Sequence, residues 1–62
     1  MKAFYGIWCN NGTCGFWIDV AANKAEAIRI VNRRNAENDG AVYSYEALFG
    51  NYEQFVIDNG IK

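Results

Sequence analysis

The dipeptide Asn11-Gly12 sits between two runs rich in aromatic and β-branched residues, 3–9 and 14–20, which suit strands. Asn-Gly is a strong hairpin signal, because a type I′ turn needs positive φ at both central positions. Counting outward from Asn11-Gly12 predicts that Asn10 faces Thr13, Cys9 faces Cys14, Trp8 faces Gly15 and Ile7 faces Phe16. Gly6 then faces Trp17, Tyr5 faces Ile18 and Phe4 faces Asp19.

This register divides the hairpin into two unlike faces. Ala3, Tyr5, Ile7, Cys9, Cys14, Phe16, Ile18 and Val20 make an apolar face fit for a core. Phe4, Gly6, Trp8, Gly15, Trp17 and Asp19 make the other, with each Trp opposite a Gly over which its indole can lie flat.

The chain continues with Asn23-Lys24-Ala25-Glu26, a capping box with Asn23 as N-cap. A helix is predicted to about Asn38, stopped by Asp39-Gly40. Its expected inner arc is Ala25, Ala27, Ile28, Val31 and Ala36, with Ile30 to one side. On the outer arc, Glu26 can pair with Arg29, and Arg33 with Glu37. Residues 41–48 alternate as a third strand, with Val42, Ser44, Glu46 and Leu48 on one face. Residues 51–59 read as a short helix capped by Asn51, with Gln54 at the capping-box position and Gly60 as the stop. Tyr52, Phe55, Val56 and Asn59 would share its inner side, although Phe55-Val56-Ile57 also suits a strand.

The expected fold is therefore α+β, a single domain over residues 1–62 with order ββαβ and a short C-terminal helix. A right-handed crossover gives an antiparallel sheet ordered 2-1-3, with the helices on one face. The open face would then carry Phe4, Trp8 and Trp17, and such a patch commonly marks a contact surface. The alternative is that the last ten residues fold over these aromatics and make them core. Arg29 and Arg33 form a second candidate surface.

Composition limits the function classes. The chain has 62 residues, 52% of them hydrophobic, and a net charge of −1, which offers no long-range attraction to nucleic acid or an anionic membrane. Neither a signal peptide nor a membrane span is recognisable, so we expect a cytoplasmic protein complete from Met1 to Lys62. There is no His, the residue that most often does acid–base work at neutral pH. No base neighbours a Cys or Ser, the carboxylates are scattered and no phosphate loop occurs, so we expect neither catalysis nor a cofactor.

Cys9 and Cys14, placed across from each other by this register, are close enough for a disulfide. In a reducing cytosol they are more simply two packed thiols. With no His and no further Cys, they cannot complete a zinc site.

The run Val20-Ala21-Ala22-Asn23-Lys24-Ala25-Glu26-Ala27, entering a helix straight from a hairpin, resembles small phage and mobile-element proteins. Some anti-CRISPR inhibitors are similar in size and in ββαβ order. The likeness spans residues 1–40. It implies a protein that binds and blocks a host protein or complex, and it assigns no functional residue. The expected function is thus protein binding through Phe4, Trp8 and Trp17. A single-strand nucleic-acid binder stacking bases on those aromatics and a homodimer joined through that face are the alternatives.

Overall fold

The computed structural model describes residues 3–37 and 40–61. Strand β1 (Ala3–Asn10) and strand β2 (Gly15–Ala21) form the hairpin, and helix α1 (Lys24–Glu37) carries the chain to strand β3 (Val42–Phe49). Helix α2 (Tyr52–Asp58) follows. The sheet is antiparallel in the order β2-β1-β3, as the sequence predicts.

The hairpin turn differs from the expected one by a single residue. Asn11 N–H donates to the Cys14 carbonyl, which leaves Gly12 and Thr13 at the tip. Gly12 takes φ 92°, and the first tip position is the one a type II′ turn reserves for Gly. The two asparagines hold this arrangement with their side chains. Asn10 Oδ1 accepts from Gly12 N–H at 2.9 Å, and Asn11 Oδ1 accepts from the N–H groups of Thr13 and Cys14, both at 3.0 Å. Asn readily makes such local bonds, and here they outweigh the dipeptide's own turn preference.

Sliding the turn by one residue moves the register by two. Asn10 now opposes Gly15, Cys9 opposes Phe16 and Trp8 opposes Trp17. Because side chains alternate with period two, that shift keeps Gly15, Phe16 and Trp17 on their expected sides, but Phe16, expected to meet the helix, is 47% exposed on the outer strand. The shift also separates the two cysteines. Cys9 is buried on the strand, Cys14 is exposed in the loop, and both thiols are free.

A β-bulge then alters the far end. The register jumps between Ile7 and Trp8, so Ile7 opposes Asp19, Gly6 opposes Val20 and Tyr5 opposes Ala21. The extra residue is Ile18, which packs on the core. Beyond it, the expected sides of Asp19 and Val20 exchange, and Ala21 becomes core at 1% exposure. Local hydrogen bonding supports the distortion, since Asp19 Oδ1 accepts from Val20 N–H at 2.8 Å.

Helix α1 is capped as its sequence predicts, with Asn23 Oδ1 accepting from Glu26 N–H at 2.8 Å. Its inner face is Ala27, Ile30 and Val31, not the expected alanine-rich arc; Ala25, Ile28 and Ala36 are exposed. Burying a Val or Ile contributes about 1.5–3 kcal/mol and an Ala methyl far less, so the helix turns Ile30 and Val31 inward and leaves Ile28, its third β-branched residue, exposed. Ile30 and Val31 meet Ile7, Cys9, Ala21 and Tyr43 in one core, with Tyr5, Ile18, Ala41 and Tyr45 at its margin. Asn38 and Asp39, at the expected helix end and stop, lie outside the described residues.

Helix α2 forms where the sequence places it, capped by Asn51 Oδ1 accepting from Gln54 N–H at 3.0 Å. Gln54 does not close the capping box; its Nε2 donates to Asp58 Oδ1 at 2.7 Å. The two helices do not share a face of the sheet. α1 covers the side of Ile7 and Cys9, whereas α2 covers the side of Phe4.

Candidate functional site

The aromatic face is assembled by strand parity. Phe4, Gly6 and Trp8 of β1 point to one side, and the β3 residues opposite them, Leu48, Glu46 and Ser44, point the same way. Trp17 joins from β2 as the direct partner of Trp8. The two indoles meet edge to face, with centroids 4.9 Å apart and planes at 74°.

Each indole lies over a glycine, as the sequence suggests, but on the diagonal. A Cβ on Gly15 would stand 2.3 Å from Trp8 Cζ2, and one on Gly6 would stand 2.7 Å from Trp17 Cζ3. The two-residue shift in register turned direct opposition into diagonal packing without changing which rings meet which glycines.

Half of this face is closed. Phe4 packs edge to face against Tyr52 and Phe55, with centroids at 5.5 and 5.3 Å, and is only 7% exposed. Phe4 is therefore core and not part of a contact surface. The reason is α2, whose Phe55 also meets Trp17 at 5.5 Å. Phe55 and Val56 are its half-buried residues, while Tyr52 and Asn59 remain exposed.

The other half stays open. Trp8 and Trp17, both half-buried, line a shallow groove of about 360 Å³ with Ser44, Tyr45 and Glu46. Val42 extends the same face at 67% exposure, next to Ser44 by parity. Sequence reasoning identified the two tryptophans and the shared face of Val42, Ser44, Glu46 and Leu48. It did not join them, because which β3 residue lies beside Trp8 depends on the β1–β3 register, and no turn residue encodes that.

Arg29 and Arg33 lie elsewhere. With Asp19, Val20, Glu26 and Ile30 they line a second cleft of about 330 Å³ between β2 and α1. Two arginines and two carboxylates leave it without net charge. The expected Glu26–Arg29 and Arg33–Glu37 ion pairs do not form among the described residues. Exposed pairs of this kind gain little over the side-chain entropy they cost.

One further residue carries structural weight that the sequence did not signal. Asn35, on α1, clamps the backbone of Tyr43: its Oδ1 accepts from Tyr43 N–H at 3.0 Å and its Nδ2 donates to the Tyr43 carbonyl at 3.2 Å. It pairs with the outer edge of β3 as a neighbouring strand would.

Among the described residues, no group of three or more Cys, Asp or Glu side chains is gathered as a metal site would need. No helix among the described residues is long and apolar enough to cross a membrane. No protein-family model matches this chain, and neither a curated protein nor a solved structure shows significant similarity to it.

Proposed function

We propose that this chain is a small non-catalytic protein-binding module, of the kind phage use to block a host protein or complex, and that it binds through the Trp8–Trp17 groove. One observation carries the reading. Two indoles remain half-exposed in an open groove although α2 covers the adjoining part of the same sheet face. Aromatic side chains held this way often supply most of an interface's energy. The groove fits an apolar partner side chain against the indoles, with a basic group opposite Glu46 at the rim.

Glu46 also weighs against the nucleic-acid alternative. Base-stacking platforms are flanked by cations that follow the phosphates, and among the described residues this groove is lined by a carboxylate and no Lys or Arg.

A photo-crosslinking residue at Ser44 tests the proposal in cells. It should trap a discrete protein, Glu46→Lys should abolish the trapping, and the same probe at Glu53 on α2 should not reproduce it. Adducts to nucleic acid, or a pattern shared by both positions, would refute it.

A further inference from the structure

We infer that β3 is a self-pairing edge, and that two copies of this chain join through it into one continuous antiparallel sheet around a two-fold axis centred on Ala47. The inference is independent of the groove reading, since it concerns the edge of the sheet and not its aromatic face.

An outer strand presents unpaired N–H and C=O groups that template pairing with another chain unless they are blunted. In this sheet β2 and β3 are the outer strands. β2 is interrupted by the bulge at Ile18, a distortion that breaks regular pairing. β3 is paired with β1 without interruption from Val42 to Phe49 and carries one charge, Glu46.

The Asn35 clamp shows which groups of β3 point outward. Tyr43 N–H and C=O both meet Asn35 and so face away from β1. In an antiparallel ladder, residues alternate between bonding one neighbour and the other. Tyr45, Ala47 and Phe49 therefore present their backbone groups to the same outer side. Among the described residues nothing bonds them there.

Geometry selects one register. Pairs across a sheet must share a face, so a two-fold can be centred on a single residue but not between two. Centring on Glu46 would set two carboxylates against each other and push Phe49 of the second copy into the Asn35 clamp. Centring on Tyr45 would also run into that clamp. Centring on Leu48 would pair only residues 47–49 of the strand, whereas centring on Ala47 avoids all three faults and pairs 45–49: Ala47 meets Ala47, Tyr45 meets Phe49, and Glu46 meets Leu48. The second chain then leaves the edge where it must, because Gly50, at φ 125°, ends the strand just before Tyr43.

The same register covers exposed apolar surface. Phe49 is 68% exposed and Ala47 is exposed beside half-buried Tyr45. Pairing sets Phe49 of each copy against Tyr45 of the other, and aromatic cross-strand pairs are among the contacts that stabilise sheets.

Sedimentation velocity of the full chain, from low micromolar to near-millimolar concentration, tests this together with three variants. The expected result is a mass that doubles with concentration, and an Ala47→Lys variant that melts like the parent yet stays monomeric. In a Cys14→Ser background, Ala47→Cys should form a disulfide-linked dimer on oxidation, because hydrogen-bonded partners lie about 5.5 Å apart at Cα, inside the disulfide range. Ser44→Cys in the same background should not. A chain monomeric at every concentration overturns the inference, as does a dimer that survives Ala47→Lys or cross-links better through Ser44→Cys. If Ala47→Lys fails to fold, the comparison of the two cysteine variants decides alone.

Discussion

Trp8 lies across Gly15 so closely that the glycine has no room for a side chain, and Trp17 lies across Gly6 in the same way. The two glycines set the positions of the two indoles, which meet edge to face between them. Edge-to-face pairs contribute about 0.5–1.5 kcal/mol beyond their burial. The floor of the candidate groove therefore rests on backbone positions at which a side chain is missing.

Gly15→Ala and Gly6→Ala should each destabilise the fold by roughly 1–3 kcal/mol, the usual cost of overpacking. In a domain of this size that lowers the melting temperature by about 4–8 °C per kcal/mol. Near-ultraviolet circular dichroism should lose tryptophan signal first in Gly15→Ala, because Trp8 can swing outward into the groove. Unchanged melts in both variants would mean that the indoles do not lie on these glycines.

Phe55→Ala should uncover Phe4 and Trp17 together, since one ring packs on both. The expected cost is about 2–4 kcal/mol, near the lower end for a large core truncation because Phe55 is only half-buried. Urea titration gives the magnitude. Native tryptophan fluorescence should shift to the red, and an emission maximum that stays put would show that α2 does not cover this face.

Asn35→Ala should remove both bonds to Tyr43 at a cost of about 1–3 kcal/mol. Amide exchange at Tyr43 should accelerate markedly while exchange at Ser44, bonded to β1, changes less. Asn35→Asp keeps an acceptor for Tyr43 N–H but sets a carboxylate against the Tyr43 carbonyl, so it should not restore stability. Equal acceleration at both amides would point to general loosening instead of a local clamp.

Cys14 should react with a thiol reagent in the native protein and Cys9 only after unfolding, because one is exposed in the loop and the other is 5% exposed beneath α1. One thiol titrated natively and two in denaturant is the expected count. Two fast native reactions, or none because the pair has oxidised, would contradict the hairpin register.

The sequence by itself determined the elements and their order. Asn23 and Asn51 mark helix starts through side-chain oxygens that act within one turn, and the runs around Asn11-Gly12 mark two strands that must be neighbours. These signals are local, so they are legible without the fold. The alternation that put Phe4, Trp8 and Trp17 on one face survived even a misplaced turn, because a two-residue slip preserves parity.

Only the tertiary structure decided the rest. The bulge at Ile18, the inward turn of Ile30 and Val31, and the clamp from Asn35 to Tyr43 each depend on how α1 seats on the sheet. The placement of α2 over Phe4 depends on which face the chain takes after Gly50. Each is settled by contacts between residues far apart in the chain, where packing outweighs local preference. That is why one half of the aromatic face became core and the other half stayed open.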